Sequence, residues 1–174
     1  MRVAIVNFSR QSLVSPHEIR AAVERLPREH YAKIKIIRYD PERSLALEMA
    51  YINNNPESLR ARGTYLHDWD SSDSVVVIYP FKTRDGFFHT LYHEIGHHVF
   101  FRVLDQGLRD EWFALRRAEK GFVSKRARKD AREDFAETYS CLCFRTHLLY
   151  HAPGKADFMR RKVFRSVIAT RRYI

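Results

Sequence analysis

The sequence predicts an α+β fold, with a small mixed β-sheet in the N-terminal half and a helical C-terminal half. Three observations predict it. Strand-like apolar runs at residues 2–8, 31–39 and 74–79 all fall before Pro80. Beyond Asp85 the pattern is helical throughout. The chain has 174 residues, 45% hydrophobic and 30% charged, which suits one compact domain over residues 1–174 but not two. Residues 1–80 then form the sheet-containing half and residues 81–174 the helical half.

Residues 2–8 read as a buried strand. Ser15-Pro16-His17-Glu18 starts a helix, with Ser15 as N-cap, Pro16 at the first helical position and Glu18 completing a capping box. Ile19, Val23 and Leu26 follow at helical spacing, and Pro27 closes the segment. Residues 31–39 alternate as a second strand. Asp40-Pro41-Glu42 is a further helix start, with Leu45, Met49 and Ile52 as its apolar stripe and Asn53-Asn54-Asn55-Pro56 as its stop. Residues 62–69 read as a short or edge strand, residues 70–73 as a turn, and residues 74–79 as the clearest strand. Asp85-Gly86 leads into a helix over about residues 87–104. A helix over 108–119 turns Trp112 and Leu115 inward, and residues 121–130 read as an exposed basic loop. A long helix over about 131–150 stops near Pro153-Gly154. A basic amphipathic helix over 155–172 carries Phe158, Val163, Phe164 and Val167 on its apolar side.

The formal net charge is +10. Such a balance suits nucleic acid or anionic surfaces, and equally an enzyme that meets acidic partners. No apolar run reaches membrane-spanning length. The N-terminal segment turns polar too soon for a signal-peptide core, so the expectation is a soluble, cytoplasmic chain, with export by another route left open. The two cysteines, Cys141 and Cys143, have a C-x-C spacing that puts them on different helix faces. They read as small core residues and not as a disulfide or a zinc pair.

The chemistry concentrates in Leu91-Tyr92-His93-Glu94-Ile95-Gly96-His97-His98. Residues four apart on a helix lie about one turn apart on one face. His93 and His97 can therefore grip one Zn²⁺ at roughly 2.0–2.1 Å each. Glu94, one residue along from the first histidine, can act on a water there as a base. Gly96 removes a side chain where a second helix needs to approach. Histidines four apart also occur on solvated helix faces, but Phe87, Phe88, Leu91, Ile95, Val99 and Phe100 flank this motif as they would a buried helix. His89 shares the face of His93 and competes as a ligand, but no Glu stands correctly between the two. His98 points elsewhere and reads as structural.

Catalytic zinc takes three protein ligands and keeps one position open. Glu133 and Glu137, four apart beside Phe135 and Ala136, offer the third ligand and its support. Inward carboxylates need a partner, because burying an unpaired charge is costly. Glu133 could ligate, and Glu137 could accept the free N–H of a ligand histidine and fix its tautomer. The competing reading is an exposed acidic face that balances the basic loop.

His93-Glu94-x-x-His97, followed thirty-six residues later by Glu133-Asp134-Phe135-Ala136-Glu137, resembles the catalytic domain of the gluzincin metallopeptidases of the anthrax lethal factor and Pro-Pro endopeptidase group. The resemblance covers about residues 63–148, and the lead-in Gly121-Phe122-Val123-Ser124 is also similar. It implies a zincin-like fold and a zinc-dependent endopeptidase with one Zn²⁺ per chain and a peptide or protein substrate. His93, His97 and Glu133 would be the ligands, Glu94 the base, and Glu137 a supporting or site-lining carboxylate. Gly63, Thr64 and Tyr65 would bind substrate by edge pairing. One departure stands out. The family carries a Tyr in the loop before the third-ligand helix, where this chain has Arg126, and no Tyr occurs from His93 to Thr138. Arg126 could itself steady an oxyanion, as could Tyr65. Without the tyrosine, the chain could equally be a weak or unusually specific peptidase, or a zinc protein of faded activity.

Two alternatives accompany this reading. One is a regulatory peptidase resembling the ImmA/IrrE group, which shares His-Glu-Ile-Gly-His but has a helix-turn-helix companion not evident here. The other is a nucleic-acid or anionic-surface binding protein, supported by the cations of residues 116–132 and 160–172. Its weakness is the sparse aromatic interleaving for base stacking.

Overall fold

A computed structural model describes residues 3–67 and 73–165. Most of the turn expected at 70–73 and the end of the last expected helix, with Val167, therefore lie outside the described residues. The fold is α+β. Strands β1 (Ala4–Val6), β2 (Ile34–Tyr39), β3 (Gly63–His67) and β4 (Ser74–Ile78) form one sheet in the order β1-β2-β4-β3. β1, β2 and β4 are parallel, and β3 runs antiparallel to β4 with Thr64 opposite Val77 and Tyr65 opposite Val76. The sheet is mixed, and β3 is an edge strand.

The inner strand β4 is the continuous apolar run Val75-Val76-Val77-Ile78, and its last three residues are fully buried. Strands covered on both faces read this way. β1 differs from its expected form. It is a three-residue edge strand with Ala4 exposed, and the buried anchor is Phe8, in a 3-10 turn just beyond it. The reason is position: an edge strand can be covered on fewer sides than an inner one.

Helix α1 (Pro16–Glu24) carries the expected capping box, with both reciprocal hydrogen bonds between Ser15 and Glu18. Helix α2 (Ser44–Ile52) starts later than expected, because Arg43 turns into the left-handed region at φ 58° and Asp40 Oδ2 accepts the Leu45 N–H at 3.0 Å. Its expected stripe is also corrected. Ala46 is its buried residue, whereas Leu45 and Met49 are half-buried and Ile52 stands 65% exposed.

Helix α3 (Arg84–His98) begins earlier than expected, because the Thr83 hydroxyl caps it by accepting the Gly86 N–H at 3.0 Å. It passes directly into a π-helical turn, Val99–Val103. It is buried almost all the way round, from Phe87 and Phe88 through His93, Glu94, Ile95, Gly96 and His98. A helix of that kind belongs inside a domain. One side meets β3 and β4 and the other meets helix α5 (Ala131–Phe144). Helix α4 (Gln106–Ala118), capped by Asp105, inserts Trp112 as expected. α5 ends at Phe144, short of the expected 150, and a 3-10 segment Thr146–His151 follows. Helix α6 (Pro153–Phe158) continues as a π-helical turn Met159–Val163 in place of one regular amphipathic helix. Cys141 is buried and both cysteines are free thiols. Burial, helped by Glu137, pushes the Cys141 thiol up to about 12, which keeps it unreactive.

Residues 121–130 are only in part the exposed basic loop expected. Val123 and Ala127 are buried, and Arg126–Arg128 form a 3-10 turn. The cations Arg116, Arg128 and Lys155 lie over the Phe122 ring, with Lys155 Nζ at 3.9 Å from its centre. Cation–π contacts let a basic segment pack instead of fray.

Gly96 sits where α3 and α5 approach each other. A Cβ there would stand 2.9 Å from the Ala136 Cα and 3.3 Å from the Ala136 carbonyl oxygen. Helix propensity alone favours alanine by about 1 kcal/mol, but the obstacle is backbone and cannot swing aside. Gly96→Ala is therefore expected to destabilise the protein by about 1–3 kcal/mol, measured by urea denaturation. Unchanged or higher stability would show that the two helices separate freely.

Candidate metal centre and active-site cleft

The close approach of α3 and α5 brings the sequence-predicted residues together. His93 and His97 leave α3 one turn apart, with their Nε2 atoms 3.1 Å from each other. Glu133, in the first turn of α5, lies 3.3 Å from His93 Nε2 through Oε2 and 3.7 Å from His97 Nε2 through Oε1. These three donors form a cluster able to hold a metal ion. Tetrahedral arms of 2.0–2.1 Å require donors about 3.3 Å apart, and the observed separations bracket that value. Asp130 fixes the start of α5 by accepting the N–H groups of Arg132 and Glu133 at 2.8 and 3.0 Å. The first turn is thereby set with Glu133 facing the histidines.

Glu137, one turn further, places Oε1 2.8 Å from His93 Nδ1. The approach is close but off the N–H axis, so it is an ion-pair contact more than an in-line hydrogen bond. It favours the proton on Nδ1 and leaves Nε2 turned to the cluster. The same oxygen is 3.5 Å from His89 Nε2. His89 is therefore held at the back of Glu137, and its Nδ1 meets the Ser140 hydroxyl at 3.0 Å. His98 meets the Ser74 hydroxyl at 3.1 Å, a structural contact as expected.

Glu94 is 2% exposed, and its Oε1 has no hydrogen-bond partner among the described residues. The same is true of His97 Nδ1. An orphaned carboxylate oxygen at this depth is costly without a water or ligand to meet it. Two imidazoles, a carboxylate and a nearby carboxylate with one orphaned oxygen fit a divalent cation of the zinc type.

The charges in the cluster are strongly coupled. Burial opposes charge on His93, but Glu133 and Glu137 outweigh it and raise its pKa to about 9. His97, buried beside that cation, falls to about 3. Burial would raise Glu133, but hydrogen bonds from His93 and Arg126 bring it to about 2. Burial is the main cause holding Glu94 above the usual carboxylate range, with His93, Arg126 and the Tyr65 backbone amide pulling the other way.

Arg126 is in the site. Its Nε donates to Glu133 Oε2 at 2.6 Å and its Nη2 to Oε1 at 3.4 Å. Gly63, Thr64 and Tyr65 lie on β3, along the cleft wall above Glu94 and His97. The Thr64 hydroxyl meets Tyr79 at 2.9 Å and the Tyr65 hydroxyl meets Ser74 at 3.1 Å. Their side-chain oxygens are thus engaged within the sheet, and the Tyr65 hydroxyl is not the free donor expected. Gly63 has a role that the sequence did not disclose. A Cβ there would sit 2.8 Å from Glu94 Cγ and 2.9 Å from Glu94 Oε1.

Sequence reasoning also missed the support behind α5. Asp134, next to Glu133, is fully buried against Lys155, whose Nζ lies 2.8 Å away and also donates to the Gly121 carbonyl at 2.6 Å. Glu119 accepts the N–H groups of Gly154 and Lys155 at 3.0 and 2.8 Å. A lysine in a basic amphipathic stretch gave no signal of burial.

The cleft has two halves that share Glu133. One, of about 670 Å³, lies between residues 55–62 and residues 124–129. The other, of about 390 Å³, runs along β3 past Glu94 and His97 to Phe101. In that half Tyr65 and His67 stack at 5.4 Å, as do His67 and Phe101.

No protein-family model and no curated protein matches the chain. Among solved structures, a proposed zinc-binding metallo-peptidase from Bacteroides caccae is similar, at 14% identity and a TM-score of 0.44, over 98% of this chain and 85% of that one. The reading of the site rests on its own side chains.

Two predictions come from this geometry. Gly63→Ala should displace Glu94 while leaving the His93, His97 and Glu133 donors in place. Zinc content should then be unchanged while any zinc-dependent activity falls; lost zinc would place Gly63's role elsewhere. Second, a ligand histidine must be neutral, so zinc has to displace the His93 proton below about pH 9. Calorimetry in buffers of different ionisation enthalpy should show about one proton released per zinc at pH 7. Affinity should weaken about tenfold per pH unit as pH falls below 9. A flat profile from pH 7 to 9 would remove the Glu133–His93–Glu137 coupling.

Proposed function

We propose that the protein is a zinc-dependent metalloendopeptidase. His93, His97 and Glu133 hold one Zn²⁺, Glu94 is the general base, and Glu137 orients His93. The observation that carries the reading is the convergence of the three donors beside a buried carboxylate, Glu94, beneath an exposed strand edge. When bound, zinc supplies Lewis acidity and brings the pKa of a water towards about 7.

The chain's own groups do the rest. The outer edge of β3, apart from the Tyr65 amide that meets Glu94, offers its backbone groups to an extended peptide, which fixes the scissile bond over the cleft. Glu94 takes a proton from the attacking water on its carboxylate and passes it to the leaving amine. Its burial suits the exchange, because a raised pKa narrows the gap between the carboxylate and the groups it trades protons with. Arg126, forked onto Glu133, holds that carboxylate in place and keeps a guanidinium beside the developing oxyanion, in the family's tyrosine position.

Elemental analysis should find one zinc per chain in the wild type and loss of zinc in Glu133→Ala. Glu94→Gln should retain zinc and cleave peptides at least about 100-fold more slowly. Undiminished cleavage by that variant would refute the base assignment, and zinc indifferent to Glu133 would refute the site. Arg126→Ala should lower kcat more than it raises KM; a change in KM alone would reduce Arg126 to a binding contact.

A further inference from the structure

We propose that the larger half of the cleft is a subsite for an acidic side chain, an aspartate or glutamate close to the scissile bond of a peptide substrate. The proposal rests on the peptidase reading above and names the substrate class.

The two walls of this half are basic. Arg60 and Arg62 stand on the side that leads into β3, and Lys125, Arg126 and Lys129 stand opposite. The carboxylates that share the space are already engaged. Glu57 pairs with Lys129 at 2.9 Å. Glu133 takes Arg126 at 2.6 Å, and Glu137 lies against His93. Among the described residues, neither the Arg62 guanidinium nor the Lys125 ammonium has an ionic or hydrogen-bonding partner, and Arg60 forms no ion pair. The Arg62 guanidinium and the Lys125 ammonium, one from each side, therefore remain without a paired carboxylate. A carboxylate between them meets opposite charge from two directions, whereas a lysine meets like charge from both.

The position makes this a substrate contact. Arg62 directly precedes Gly63, the first residue of the edge strand, and the Arg62 carbonyl accepts the Tyr79 N–H at 3.0 Å, which ties it to the sheet. A peptide laid along β3 and continued past Gly63 runs between the basic walls. Glu133 and His93 line the inner end of the same space, so a side chain bound there is adjacent to the reacting bond. The lining includes no phenylalanine, tyrosine or tryptophan, in contrast to the Tyr65, His67 and Phe101 side of the second half. Base stacking for a nucleic acid has no platform of that kind here.

The test uses zinc-loaded full-length protein and a short-peptide library in which Asp, Glu, Ala and Lys are fixed in turn at each position. Binding to Glu94→Gln is read by fluorescence polarisation, and cleavage by the wild type is read by mass spectrometry. At one position, Asp or Glu should bind about tenfold more tightly than Lys, with the same preference in cleavage. The double variant Arg62→Glu/Lys125→Glu should reverse that preference. These two residues are exposed, and circular dichroism checks that the variant folds.

Wild-type cleavage with no charge preference would overturn the subsite and leave the peptidase reading standing. An acidic preference that survives the charge reversal would also overturn it. Acidic binding that reverses in the variant, with no cleavage of any library member by the wild type, would uphold the subsite and sink the peptidase reading. A thymidine oligonucleotide that displaces the best acidic peptide and binds more tightly would overturn the proposal in favour of nucleic acid.

Discussion

The closeness of α3 to α5 is the constraint on which the rest depends. Glycine at 96 and alanine at 136 leave the two helix backbones with nothing bulky between them. That spacing lets a carboxylate from one helix come within 3.3 Å of an imidazole from the other. Interaxial distances follow the size of the residues at the contact. Larger residues at this crossing would hold Glu133 away from the histidines. The sheet serves the same end from the other side, because β3 bears on α3 at Gly63 and confines Glu94. The candidate site is thus assembled from two backbone approaches, each made possible by a missing side chain.

Much of the fold and of the candidate site was legible in the sequence, for identifiable reasons. The Ser15–Glu18 capping box and the apolar run of β4 are local signals, and they appear where the residues place them. His93, Glu94 and His97 were readable because a helix converts sequence spacing into spatial spacing. Glu133 and Glu137 were readable because acidic residues interleaved with Phe135 and Ala136 need a partner. β1 and α2 were misjudged for one reason: an apolar pattern shows that a face can be buried, not that another element covers it. Tyr51 and Ile52 remain on the surface of α2, with Tyr51 90% exposed.

What the sequence could not display was long-range pairing. Lys155 looked like one cation among many on a basic stretch. It is fully buried because Asp134, the Gly121 carbonyl and the Phe122 ring supply its partners from elsewhere in the chain. The reading of residues 121–130 as an exposed loop has the same source, since the groups that bury part of it come from α4, α5 and α6. A buried pair of this kind is weak evidence for added stability. Its effect here is geometric: it joins α6 to α5 beside the candidate metal centre.

Glu133 and Asp134 are neighbours on one helix, and they face different worlds. Successive helical residues point about 100° apart, so one carboxylate looks into the cleft while the other looks into the core at Lys155. Together they act as a key cut on two sides. Rolling α5 about its axis to ease one contact strains the other, so the two together restrain the helix's orientation. Damage deep in the core, far from any substrate, would therefore register first as a misdirected Glu133, and the candidate centre works as a gauge of how well its own scaffold is packed.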